Sequence, residues 1–199
     1  MGFKIVYIIY AIKTFSSAAY SNGYIIGSSD NKRFGSYNLT NKTSVEKFEY
    51  PKGKGILSDQ YCFQSHPSKN FVVGVQLYSK IISILEINNN NLHLKELVWW
   101  QNTNKQLQSG NEITKQISSL EDKNCFLDVA TTKDYIYVLY SGKPYGNTKA
   151  SVGKSYLSNL IYVFNWKGEP VKKFKLDKEV ISITIDKKIR LYMQVLSKI

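Results

Sequence analysis

The chain has 199 residues, 43% of them hydrophobic, and carries 27 Lys+Arg against 15 Asp+Glu for a net charge of +12. Two cysteines, Cys62 and Cys125, are too few for a disulfide-dense scaffold or a cysteine zinc site. The lysines are spread along the chain, with Arg33 and Arg190 the only arginines. That excludes the clustered basic footprint of a nucleic-acid binder and fits the Asn/Lys bias of an AT-rich coding sequence. Apolar runs of four to eight residues, bounded by turn signals, predict many short strands rather than long helices.

At the N-terminus, Met1–Lys4 precedes the run IVYIIYAI. Two readings stay open over residues 1–19: a short signal peptide cleaved near Ser17–Ala18–Ala19, or a strand, the reading preferred here. The run is too short to span a bilayer as a helix, and no cysteine in the first sixty residues could form a lipobox. GYIIGSS, RFGSYNL and SVEKFEYP then read as strands, with turns at Asp30–Asn31 and Asn41–Lys42. Asn38 and Asn41 each open a glycosylation sequon, a pattern short enough to arise by chance. Pro51–Ser58 is a Gly/Lys-rich connection, followed by the strands QYCFQS, NFVVGVQLY, KIISILEI and LHLKELVWW.

After the polar segment Gln101–Asn124 come CFLDVA, DYIYVLYSG, NLIYVFNW and PVKKFKLD, with a Lys167–Gly168 turn before the last. Tyr24, Phe71 and Tyr135 open equivalent strands 47 and 64 residues apart. With the variable insert removed, the repeat is about 45–50 residues, as in propeller blades. VISITID begins a fourth unit, and LYMQVL offers its second strand. The predicted fold class is all-β: a single incomplete β-propeller domain of about three and a half four-stranded antiparallel blades. The blades are expected at 14–50, 59–100 and 125–177, with a partial blade at 180–199.

Phe126-Leu-Asp-Val, Tyr135-Ile-Tyr-Val-Leu-Tyr-Ser-Gly142, Ile161-Tyr-Val-Phe-Asn-Trp-Lys-Gly168 and Val171-Lys-Lys-Phe-Lys-Leu-Asp177 together resemble the TolB-like six-bladed β-propeller family common in Bacteroidales. The resemblance is strong over residues 120–185 and extends over 20–100. It implies a six-bladed ring and a periplasmic or outer-membrane-associated location, in a family of mostly uncharacterised proteins. It supplies no catalytic residue, metal or cofactor, and its motifs specify fold rather than function. Family members are longer, so a fragment or truncated product is expected, with open blade edges available for self-association. The residues after Asp186 depart from the expected hairpin. A one-base shift near Ile189 would restore a blade-like Asn-Lys-Ile-Ile-Tyr-Ala-Ser-Val, so a frameshifted tail is one account of them.

Motifs that could carry chemistry are weak. Gly146–Ser155 (GNTKASVGKS) has six residues between its glycines where a P-loop has four, and it lies between two strands. His66 and His93 lack metal-ligand spacing, and Asp128 and Asp134 read as turn and capping residues. Trp166 reads as structural, and the Trp99–Trp100 pair as inter-blade packing with one ring free to stack on a ligand. Cys62 and Cys125 are either paired or buried free thiols.

Blade topology places the Gln101–Asn124 link and the Gly142–Ser158 loop at the same end of the molecule, where ordered loops on a rigid scaffold carry binding. Trp100, Lys143, Tyr145 and Tyr156 are the candidate ligand-binding residues. The expected function is non-enzymatic, extracytoplasmic binding of a protein, carbohydrate or small molecule. The alternatives are a propeller-type hydrolase or lyase with a channel-mouth site, or a non-functional truncated product.

Overall fold

The computed structural model describes residues 15–29, 33–48, 61–77, 81–88, 91–98, 125–144, 153–186 and 190–194. Three successive stretches each fold into a four-stranded antiparallel meander. The first sheet is β1 (Phe15–Ser21), β2 (Tyr24–Ser29), β3 (Phe34–Asn38) and β4 (Ser44–Lys47). The second is β5 (Tyr61–Ser65), β6 (Phe71–Gln76), β7 (Ile81–Asn88) and β8 (Asn91–Val98). The third is β9 (Phe126–Thr131), β10 (Tyr135–Tyr140), β11 (Ser158–Asn165) and β12 (Pro170–Val180). A final hairpin, β13 (Ser182–Ile185) and β14 (Leu191–Gln194), forms a two-stranded sheet.

First strands line up from sheet to sheet, with β1 against β5, β5 against β9 and β9 against β13. The four sheets therefore fan out from a shared inner row, and the described residues form no closed barrel. The fold is the expected partial propeller.

Alternation along the strands decides what each sheet buries. Ile26 and Phe34 of the first sheet meet Tyr61, Val72, Leu85, Ile87 and Leu92 of the second. On the opposite side of the second sheet, Val73, Val75, Ile82 and Ile84 meet Phe126, Ile136, Val138, Tyr140 and Phe164 of the third. Leu139, Ile161 and Val163 then close on Ile183 and Ile185 of the last hairpin. Each fully buried Val, Leu, Ile or Phe contributes about 1.5–3 kcal/mol, so three consecutive cores hold the array.

Polar bonds repeat the same relation at the hairpin ends. Ser21 Oγ donates to Lys69 O, and the His66 ring nitrogen Nε2 lies 2.9 Å from Lys133 O. In both cases the residue after or ending a first strand reaches the first hairpin of the next sheet. Asn22 Nδ2 donates to Asn70 Oδ1 alongside. On the inner strands, Cys62 Sγ donates to Leu127 O and Ile183 N donates to Asp128 Oδ2.

Several expectations shift in detail. Ser17–Ala18–Ala19 lies inside β1, paired residue by residue with Ser28, Gly27 and Ile26. The turn before β2 is Asn22–Gly23, with φ of 44° and 86°, the left-handed pair that two-residue hairpins require. Residues after Asp186 do form a hairpin, with Ile185 opposite Leu191 and Ile183 opposite Met193. Asp128 is a strand residue rather than a turn cap; its two oxygens accept from Val129 N and Ile183 N. Cys62 and Cys125 do not form a disulfide; Cys125 is buried and Cys62 partly buried. The outermost strand β12 exposes Lys172, Lys173, Lys175 and Lys178, charges that discourage edge-to-edge pairing.

Candidate functional site

The site is built where the β10–β11 connection leaves the third sheet. Cys125, which follows the 101–124 segment, donates its N–H to Leu77 O after β6 and accepts from Ser141 N after β10. Cys125, the first described residue after that segment, thus bonds to the start of the 141–157 connection. The Gln101–Asn124 link itself lies outside the described residues.

From Ser141 the chain turns through Gly142, whose φ is 65°. A Cβ there would lie 2.8 Å from the Tyr140 ring. Gly142→Ala is expected to destabilise by more than about 1 kcal/mol, since both the left-handed backbone and the ring oppose it. Thermal unfolding of the variant measures this.

Lys143 follows. Its amide donates to Ser141 Oγ, its Nζ donates to Lys154 O at 3.3 Å, and it forms an ion pair with Glu179. Glu179 is available because β12 is irregular. Between Ser158↔Val180 and Leu160↔Lys175 the register slips, and Leu176–Glu179 fill the excess. Both partners of the pair are partly exposed, so it orients the ammonium more than it stabilises the fold.

The return path is a single helical turn over residues 153–155, held by Ser141 Oγ donating to Ser155 O at 2.7 Å. Ser158 Oγ donates to Tyr140 O, closing the loop base. Tyr156 packs its ring against the core formed by Leu139, Ile161 and Val180. Lys143 and Tyr156 are therefore brought onto one loop. Trp100, Tyr145 and Trp99 lie outside the described residues, as does the 146–152 part of the P-loop-like stretch.

Beneath the loop the side chains are apolar and weakly acidic. Burial raises the Tyr140 hydroxyl pKa, with Cys125 and then Tyr162 adding to the effect. Burial, then the Asp128 charge, pushes the Cys62 thiol up to about 11, which makes it a poor nucleophile. Among the described residues no group of three or more His, Cys, Asp or Glu could hold a metal ion. The loop offers an ammonium oriented by Lys154 O and Glu179 and, at a separate position, a half-buried Tyr156 ring, groups suited to holding a hydroxyl or anionic group of a ligand.

His66 is buried and structural. Its Nδ1 accepts from Ser68 N and Lys69 N, and its ring packs 4.8 Å from Trp166. Trp166 in turn donates Nε1–H to Thr132 O. His93 lies on β8, exposed. No sequence signal pairs Glu179 with Lys143, because the slipped register of β12 brings it there.

Meandering four-stranded sheets fanned around a shared inner row define a β-propeller architecture. The TolB-like 6-blade propeller-like family model matches residues 22–188, and the chain belongs to that family. No curated protein matches it. A solved DUF4221 family member from Bacteroides vulgatus is similar in fold, with 12% identity and a TM-score of 0.56. That likeness covers 88% of this chain and 56% of the other, so the chain spans about half that structure's length. The computationally designed Ika4 protein is a weaker likeness, with 10% identity and a TM-score of 0.47 over 92% of this chain and 91% of that one. No helix among the described residues is long and apolar enough to cross a membrane.

Proposed function

We propose that the chain is a non-enzymatic, extracytoplasmic binding protein, periplasmic or outer-membrane-associated. On this reading it is one incomplete propeller domain with blades at 14–50, 59–100, 125–177 and 180–199. The ligand is a protein, a carbohydrate or a small molecule, and open blade edges add self-association. The observation that supports this reading is the β10–β11 loop, whose start at Ser141 is bonded to Cys125 and which fixes Lys143 against Glu179. Long ordered loops on a rigid sheet scaffold are where binding residues concentrate. The Asp128 carboxylate and the Cys62 thiol both serve backbone groups of the neighbouring inner strand, which favours structure over catalysis for them.

An immobilised glycan panel, read with the wild type and with Lys143→Ala, tests the reading, and the same comparison serves for any peptide hit. Loss of Lys143 is expected to weaken a retained glycan about tenfold, some 1.4 kcal/mol. Trp100→Ala and Tyr145→Ala extend the test to the remaining candidates, and Tyr156→Ser to the loop's ring. Unchanged affinity in all four variants, or turnover of the bound glycan, would overturn the proposal.

A further inference from the structure

The third sheet departs from the repeat in two places. Between second and third strands, the first two sheets use only residues 30–33 and 77–80, whereas the third uses residues 141–157. Between third and fourth strands, the β3–β4 and β7–β8 ladders keep one register from end to end. In the β11–β12 ladder, the four residues Leu176–Glu179 lie opposite Asn159 alone. Such bulges re-aim side chains while the rest of the sheet stays regular.

Both departures meet in one ion pair. The long loop supplies Lys143 and the bulge supplies Glu179, with side chains 33% and 44% exposed. Lys143 is fixed at the loop base, its amide donating to Ser141 Oγ while that hydroxyl donates to Ser155 O. An ion pair this exposed contributes little to stability. Stability alone therefore does not account for a loop and a bulge that converge on it.

What the pair offers a ligand follows from its unused groups. An ammonium has three N–H donors, and a carboxylate has two acceptor oxygens. Among the described residues, Lys143 Nζ donates to Lys154 O and to Glu179 Oε1, and Glu179 Oε2 accepts no bond. One charged donor and one charged acceptor are thus left side by side, with no net charge between them. Neighbouring hydroxyls on a sugar ring match that set. One accepts from the ammonium while the other donates to the carboxylate, and both bonds are charge-assisted. An anionic ligand meets Glu179 as a like charge, and a cationic one meets Lys143.

We propose that Lys143 and Glu179 form a subsite for the vicinal hydroxyls of a neutral sugar residue. This rests on the binding reading above and narrows it to an uncharged glycan, with Glu179 a contact residue beside Lys143. The net charge of +12 draws polyanions to the whole surface. The sign of the Glu179 effect, rather than the wild type's preference, therefore separates the two kinds of ligand.

Titration calorimetry of the 199-residue chain tests this with dextran, mannan and polygalacturonate at physiological ionic strength. A fourth probe is the bound neutral polymer after periodate cleavage and borohydride reduction, which leave hydroxyls but no vicinal pair. The wild type is expected to bind dextran or mannan and to lose at least about tenfold on the cleaved polymer. Lys143→Met and Glu179→Leu are each expected to weaken the intact polymer about tenfold, the loss of one hydrogen bond to a charged group. Glu179→Leu is expected to strengthen polygalacturonate binding, since it removes a like charge. Glu179→Gln replaces the leucine variant if circular dichroism shows that one unfolded. It keeps an acceptor oxygen, so the loss on the neutral polymer is expected to be smaller and the gain on polygalacturonate retained. Neutral-polymer binding that survives periodate or both substitutions overturns the subsite, as does failure to bind either neutral polymer. If such binding, or that of a peptide, still falls with Trp100→Ala or Tyr145→Ala, the broader binding reading stands without it.

Discussion

Phe126→Ala is expected to cost about 3–5 kcal/mol, the range for deleting a buried phenylalanine. Phe126 is fully buried on the inner strand of the third sheet, 5.8 Å from the Tyr140 ring, within the core shared with Val73, Val75, Ile82 and Ile84. Truncation removes a ring from the seam between two sheets, which have few ways to collapse because each is pinned by its own ladders. Domains of this size have about 5–15 kcal/mol of total stability, so the variant should unfold at far lower urea or lose cooperativity. A loss under 1 kcal/mol would mean that the second and third sheets do not stack as described.

His66→Leu should carry the second-largest effect and change the pH dependence. Nδ1 accepts two backbone N–H bonds, so the neutral ring carries its proton on Nε2 and donates it to Lys133 O. Leucine leaves those three backbone groups without partners. At a partly buried site that is worth about 2–3 kcal/mol. Burial lowers the imidazole pKa below 6.5, the Lys133 carbonyl opposes the shift, Lys69 adds to it, and Asp134 opposes it.

The native state therefore takes up this proton less readily than the unfolded chain. The stabilisation is complete above about pH 6.5 and is lost as pH falls from there through the native pKa. Asp128 acts in the opposite direction, since burial raises its carboxyl and protonation there favours the native state. The contribution of His66 is isolated by subtracting the variant's stability from that of the wild type at each pH. Parallel curves between pH 7 and 5 would show that His66 does not titrate in this way.

Strands with near-continuous apolar runs were legible in the sequence. KIISILEI, DYIYVLYSG and NLIYVFNW became β7, β10 and β11, because burial on both sides of a sheet demands such apolar runs. β1 was harder to see. Its FSSAAYS is small and polar, and the same residues imitate a cleavage site. The Asn22–Gly23 turn was the signal that could have revealed it.

Of the candidate site, Lys143 and Tyr156 could be placed on one loop by topology alone. Their surroundings could not. The ion pair to Glu179 depends on a register slip in β12, and the cradle of His66 depends on Lys133 and Trp166 from the next sheet. Local pattern records which face a residue takes, whereas contacts between sheets depend on how those faces meet.

Among the described residues each sheet is contiguous in the chain and packs chiefly against its sequence neighbours, so the sheets follow one another as units of a repeat. In such arrays stability is close to a sum of unit and nearest-neighbour terms. Among the described residues the second and third sheets have a neighbour on each side, the first has one, and the β13–β14 hairpin has one neighbour and two strands. Local opening should therefore begin at the hairpin and the first sheet and reach the middle last. Slow amide exchange belongs to β6, β7, β10 and β11, whose side chains are mostly buried.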